Sequence, residues 1–272
     1  MHKSSIIKLN ELLYLIKENT VVVVDIRPYS EFVKNHIPGS LWIHFWDFLK
    51  YDENIPRLKS HEEIASILGK NGISDKDNVV IIYNNNLLQI ATYTLWILEY
   101  MGQTYVGLLE VGFEEWERSN MPLERGISKP TPKTYTPNIR HDIRASLNEI
   151  INIVMNKADK PLLLDVRTLE EYTGSIQITP RPGHIPKAIL LQLNISSLTN
   201  LTFLNKVIDN LNKTGVINEI KKKGAITYCS TGERASLAWF MLRKFLHLDN
   251  IKLYPESYME YSSRKDLPVE IN

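Results

Sequence analysis

The sequence predicts an α/β fold made twice over, each copy a mainly parallel sheet flanked by helices. Three observations carry this. Strand-like and helix-like segments alternate along the chain, as in parallel sheets wrapped by crossover helices. A set of short motifs in the first half returns in the same order in the second. A proline-containing stretch, residues 128–140, separates the two sets. The 272 residues suit about two ordinary domains. The expected division is 1–127, an extended linker at 128–140, and 141–272.

The elements follow in order. In the first copy the apolar run at residues 21–24 reads as a buried strand ending on Asp25-Ile26-Arg27. In the second, residues 162–164 lead into Asp165-Val166-Arg167. Glu31-Phe32 returns as Glu171-Tyr172, and His36-Ile37-Pro38 as His184-Ile185-Pro186, after an insertion around residues 174–182. Ser60-x-x-Glu63 and Ser146-x-x-Glu149 have capping-box spacing and should open amphipathic helices. Leu147, Ile150, Ile151, Ile153, Val154 and Met155 make the second of these apolar enough to be buried. Residues 79–83 and 225–228 read as short buried strands. Tyr83 pairs with Tyr228, Trp96 with Trp239, Glu115-Trp116 with Glu260-Tyr261, and Pro122-x-Glu124 with Pro268-x-Glu270. The three prolines of the intervening stretch, Pro130, Pro132 and Pro137, forbid a regular helix or central strand there.

Bulk composition narrows the function classes. Hydrophobic residues make up 43% of the chain, enough for proper cores. A net charge of +1 argues against a dedicated nucleic-acid surface. The single cysteine excludes an intramolecular disulfide, a Cys-x-x-Cys redox pair and any multi-cysteine zinc site. No apolar run is long enough to suggest a membrane span, and the first residues lack the apolar core of a secretion signal. The expectation is a cytoplasmic protein whose thiol stays reduced, with no cofactor and no metal.

That cysteine, Cys229, lies in the segment Ala225-Ile-Thr-Tyr-Cys-Ser-Thr-Gly-Glu-Arg234. The order reads as strand, tight loop, helix. A lone cysteine in a soluble chain is usually a small buried hydrophobe. Here Ser230, Thr231, Gly232, Glu233 and Arg234 follow it, residues ill suited to a core. Free amides at a helix N-terminus attract anions. A thiolate over them is stabilised, with a pKa expected below the free value of about 8.5. The thiol is expected to be exposed at the carboxyl end of its strand, where such folds gather ligands.

Asp-x-Arg after a strand, Gly183-His184-Ile185-Pro186 and the loop from Cys229 to Arg234 together resemble rhodanese domains. The duplication resembles a tandem-domain sulfurtransferase and covers nearly the whole chain. The resemblance implies that Cys229 accepts a sulfane sulfur as a persulfide and passes it to a thiophilic acceptor. It also implies a non-catalytic first domain, where Asn84 stands at the position of Cys229 and no arginine closes the loop. The expected partners are a small anionic donor, thiosulfate or a related compound, and an acceptor such as cyanide, a small thiol or a protein cysteine. A 3-mercaptopyruvate enzyme and a binding or sensing module without turnover are the alternatives. Related cysteine phosphatases carry five residues between Cys and Arg. Four stand here, a ring sized for one sulfur.

Supporting residues have open roles at this point. Arg234 either attracts the donor or pairs with an acid. Glu171 is its candidate partner, though Thr168-x-x-Glu171 also has capping-box spacing. Arg181 and Lys187 either supply positive charge to the donor or are solvated surface charges. Asp165, Arg167 and His184 read as structural. In mercaptopyruvate-specific relatives, and in some thiosulfate enzymes, an arginine precedes the residue matching Tyr172, where this chain has Glu171. The family's Gly-Ser-Trp stretch reads Glu256-Ser257-Tyr258 here.

Overall fold

A computed structural model describes residues 5–155, 161–191, 193 and 201–271. These residues form two compact units. One runs to Lys50, resumes over Leu58–Arg140 and takes in Leu201 and Thr202. The other comprises Tyr51–Arg57 and the remaining described residues from His141 onward.

The first unit alternates strand and helix as expected: β1 (Ile6–Ile7), α1 (Leu9–Lys17), β2 (Val22–Asp25), α2 (Tyr29–Lys34) and β3 (Leu41–Trp42). A separate strand pair, β4 (Leu49–Asp52) and β5 (Ile55–Leu58), most of whose residues belong to the second unit, precedes α3 (His61–Lys70) in the chain. Then come β6 (Asn78–Ile82), α4 (Leu88–Tyr100), β7 (Tyr105–Leu109) and α5 (Phe113–Arg118). The sheet order is β1-β7-β6-β2-β3, and its neighbouring strands are parallel.

The second unit contains α6 (Leu147–Val154), β8 (Leu162–Asp165), α7 (Leu169–Thr173), β9 (Ile189–Leu190), α8 (Leu204–Thr214) and α9 (Val216–Lys223). β10 (Ala225–Tyr228), α10 (Glu233–Phe240), β11 (Ile251–Leu253) and α11 (Ser257–Ser263) complete it. Its sheet, order β11-β10-β8-β9, is likewise parallel. The chain leaves β8 toward β9 on one side and returns to β10 on the other. That reversal is a topological switch point, and open α/β sheets bind ligands beyond the carboxyl ends of their strands at such points. Tyr228 is in register with Asp165, so Cys229 follows the carboxyl end of β10 there.

Local signals explain the elements and their few departures. Ser60 caps α3 and Glu63 returns the bond, forming the expected capping box. Ser146 caps α6, but the carboxylate of Glu149 turns instead to Lys252 on β11. An ion pair to a neighbouring strand here outcompetes the local bond. Ile150, Ile153 and Val154 of α6 join Leu163, Ile226 and Tyr254 in the second core, while Met155 at the helix end is exposed.

Residues 127–140 hold no helix or strand, yet they are not a loose tether. Backbone donors that make no internal bonds must find partners elsewhere. Lys133, Asn138 and Arg140 donate their amides to the carbonyls of Gly69 (2.9 Å), Met101 (3.0 Å) and Tyr100 (2.9 Å). Lys133 Nζ pairs with Asp77 at 2.8 Å. Gly102 has φ +93°, and a Cβ there would drive into the backbone of Asn138. Gly102→Ala is therefore expected to cost about 1–3 kcal/mol, through left-handed strain and displacement of this strap. Urea unfolding of the two proteins measures it.

Candidate active site

The site is built upward from the ends of β8 and β10. Asp165 closes β8 and turns its carboxylate onto Arg167, which donates Nε (3.0 Å) and Nη2 (2.7 Å). Arg167 Nη2 also reaches the carbonyl of Gly183 at 2.8 Å. The guanidinium lies 4.1 Å from the ring centroid of Tyr258, a cation–π contact. This buried pair fixes the turn after β8 against the His184 turn. His184 stacks on Tyr172, its Nδ1 lies 2.8 Å from the Tyr172 carbonyl, and its backbone bridges Glu270. Asp165, Arg167 and His184 thus occupy the structural roles expected of them.

The loop that follows β10 has Gly232 at φ +104°, a conformation that favours glycine. This lets the chain fold back so that the Gly232 amide donates to Cys229 Sγ at 3.1 Å. Among the described residues, the amides of Ser230, Thr231 and Arg234 take no backbone carbonyl. The Arg234 amide is one of the unsatisfied donors of the α10 start, and those of Ser230 and Thr231 lie in the loop just before its cap, Gly232. The Cys229 amide and carbonyl are occupied on the other side. Ser257 Oγ accepts from Cys229 N at 3.1 Å, and Tyr258 N donates to Cys229 O at 2.9 Å.

The expected exposure of Cys229 is corrected: the residue is 1% exposed. The adjacent Ser230 and the bonded Ser257 are buried with it, and Cys229 is not a member of the hydrocarbon cluster that holds Ile226 and Tyr228. The Gly232 amide is turned back onto the sulfur, a contact that residue types alone do not reveal.

Glu171 performs both of the roles considered for it. Its amide and carboxylate form a capping box with Thr168 at the start of α7. The same carboxylate accepts Arg234 Nη1 (2.6 Å) and Nη2 (2.8 Å) and the Ser230 hydroxyl (3.0 Å). Burial alone would raise its pKa. The Arg234 bonds, the Thr168 amide, the charge of Arg234 and the Ser230 hydroxyl outweigh burial and pull the pKa down to about 2. For Arg234, burial disfavours the charge. The Glu171 bonds, then the charges of Cys229 and Glu171, hold its pKa above the ordinary value. Both Nη atoms of Arg234 are thus committed to Glu171 and Ser230.

Arg181 and Lys187 both turn to backbone carbonyls, and Lys187 is exposed, as one of its two expected readings has it. Arg181 is half-buried and bonded along its guanidinium, which departs from a solvated surface charge. It gives Nε to Ser262 O (2.9 Å), Nη1 to Leu267 O (2.7 Å) and Nη2 to Arg264 O (2.8 Å), capping the carboxyl end of α11. Lys187 gives Nζ to the Ile153 carbonyl at 3.0 Å, near the end of α6. Helix ends expose unpaired carbonyls that attract cations. Ser257 is the contact that residue types did not foretell. It sits at φ +54° and fixes Cys229 through the amide bond above. The only hint was its place in the segment matching the Gly-Ser-Trp stretch.

The first unit repeats the scaffold without the thiol. Asp25 and Arg27 pair as Asp165 and Arg167 do, and His36 stacks on Phe32. At the end of β6, Asn84 Nδ2 donates to the carboxylate of Glu31. The Asn85 amide is taken by the carboxylate of Glu114, at 3.2 Å to each oxygen. A protein carboxylate thus occupies this copy's loop amide.

Comparison with known proteins accords with this geometry. Residues 8–119 and 148–264 each match the model of the rhodanese-like domain. The chain belongs to the rhodanese-like family of sulfurtransferases. A rhodanese-like relative from Haloferax volcanii, named "Putative thiosulfate sulfurtransferase", is 31% identical over 92% of this chain and 87% of its own length. One of the same name from Mycobacterium tuberculosis is 30% identical over 92% of each chain. The sulfur carrier protein TtuD of Thermus thermophilus is 29% identical over 86% of this chain and 85% of its own. Among solved structures, EanB in complex with ergothioneine shares the rhodanese-like fold. Its TM-score is 0.82, at 20% identity over 98% of this chain and 70% of its own.

The sign of the Glu171 shift makes an acid prediction. Its folded pKa lies below the ordinary 4.5, so its stabilisation is full above about pH 4.5 and lost as pH falls through about 2. Glu171→Gln is expected to cost about 1–3 kcal/mol near neutrality through the lost charge-assisted bonds. The gap in urea midpoint between variant and wild type should stay constant above pH 5 and narrow toward pH 2.

Proposed function

We propose that this protein is a thiosulfate-type sulfurtransferase in which Cys229 carries the sulfur. The Cys229 thiolate attacks the outer sulfur of thiosulfate, the S–S bond breaks, and sulfite leaves with its electron pair. The persulfide then gives its outer sulfur to cyanide, a small thiol or a protein cysteine, restoring the thiolate. One observation carries this reading: Cys229 Sγ receives the Gly232 amide within a loop whose other free amides await negative charge. Preorganised donors of this kind stabilise developing anions. Without a second cysteine, sulfur leaves only to an external acceptor. A reducing compartment such as the cytoplasm suits this cycle.

The second unit is the catalytic one in this proposal. The first, with Asn84 in place of a nucleophile and Glu114 on its loop amide, is structural. The names of the curated relatives support thiosulfate as donor. The fold also accommodates a persulfide, since one EanB structure holds ergothioneine covalently linked with a cysteine persulfide. Glu171, where mercaptopyruvate enzymes and some thiosulfate enzymes carry an arginine, weighs against recognition of a donor carboxylate by that position. Arg234, committed to Glu171, weighs against a phosphatase that needs that side chain on its substrate.

The burial of Cys229 favours a second reading, a sensing module without turnover. Mass measurement separates the two. After incubation with thiosulfate and removal of excess, the intact protein should gain one sulfur atom, which cyanide removes as thiocyanate. Cys229→Ser should fold with an unchanged melting curve and take up no sulfur. A wild-type protein that gains nothing supports the module, and sulfur retained by the serine variant moves the nucleophile elsewhere.

A further inference from the structure

Two carboxylates flank the Cys229 loop, and their surroundings set them apart. Glu171 is bound by Arg234, Ser230 and the Thr168 amide, so it stays ionised and exchanges no proton near neutrality. Glu233, the first residue of α10, has no ion-pair partner among the described residues, because Arg234 turns to Glu171. Its Oε2 instead accepts the Thr231 hydroxyl at 2.6 Å. Burial pushes the Glu233 carboxyl up, opposed by Thr231, its own amide and the charge of Arg234. Neighbouring carboxyls driven apart in this way divide acid–base duties between them. The two loop hydroxyls divide likewise. Ser230 is buried and tied to Glu171 and Arg234, whereas Thr231 is half-exposed and tied to Glu233 alone.

The chemistry of discharge gives this pair a task. A free thiol has a pKa of about 8.5, so at pH 7 it is mostly protonated and a poor nucleophile. Sulfur transfer to a thiol therefore needs a proton acceptor, whereas transfer to sulfite does not. We propose that Thr231, backed by Glu233, takes the proton of an incoming thiol, and that the sulfur acceptor of this protein is accordingly a thiol. The inference rests on the persulfide role of Cys229. The acceptor S–H proton passes to the Thr231 hydroxyl as that hydroxyl gives its own proton to Glu233. The acceptor sulfur bonds to the outer persulfide sulfur, the bond from that sulfur to Cys229 Sγ breaks, and its electron pair remains on Cys229 as thiolate. The product is the acceptor's persulfide anion, the proton rests on Glu233, and no oxidant or reductant is consumed.

The test is single-turnover discharge. Wild type, Glu233→Gln and Thr231→Val are loaded with thiosulfate, freed of excess, and mixed with glutathione or with sulfite while intact mass is followed. In both variants the ratio of the glutathione rate to the sulfite rate at pH 7 is expected to fall at least tenfold. The glutathione rate of Glu233→Gln should then climb about tenfold per pH unit toward pH 8.5, following the thiolate, with a shallower rise in wild type. Equal losses with both acceptors, or an unchanged ratio in either variant, would overturn the inference and leave the persulfide role standing. A wild type that takes up no sulfur overturns both.

Discussion

The Glu171 carboxylate is the point on which the second unit's loop depends. It closes the capping box of α7 and, with the same two oxygens, holds Arg234 and Ser230 on the far side of the Cys229 loop. A helix start from one strand–helix connection is thereby tied to the loop of the next. Charge-assisted bonds of this kind are short and directional. They tie Ser230, which follows Cys229, and Arg234, in the first turn of α10, to one carboxylate. The arrangement also pairs the nearby guanidinium. The sulfur then meets the Gly232 amide directly and the Arg234 charge through space, with that guanidinium also part of the frame.

Duplication shows which parts belong to the scaffold and which to the chemistry. Both units bury an Asp–Arg pair beyond a strand, roof it with an aromatic ring and stack a histidine beside it. Even the closing contact repeats: Trp116 donates to the Pro122 carbonyl and Tyr261 to that of Pro268. Leaving half of such a buried pair costs several kcal/mol, so both copies need both residues whether or not a thiol follows. The copies diverge at the loop. Glu31, the counterpart of Glu171, meets Asn84 where the second copy has its cysteine, and no arginine is present to stretch the turn.

Much of this was readable before any fold was known, because the governing physics is local. Capping boxes at Ser60 and Thr168 depend on residues three apart, and strand ends at Asp25 and Asp165 on apolar runs that stop. The failures share a cause as well. Arg181 and Lys187 looked available because sequence neighbours gave them no partner. Their partners are backbone carbonyls at Ser262, Leu267 and Ile153, distant along the chain. Glu149 left its cap for Lys252, and Ser257 reached Cys229 from another connection.

Residue order by itself determined that the chain is a doubled α/β protein with one thiol between a strand and a helix. Alternation, capping and loop chemistry act over a few residues and leave their mark in composition. Tertiary structure alone decided that the thiol lies beneath its loop, which cations are consumed, and that one glutamate serves two elements. Those outcomes arise from competition among partners brought together from distant parts of the chain, and spacing along the sequence does not encode who wins.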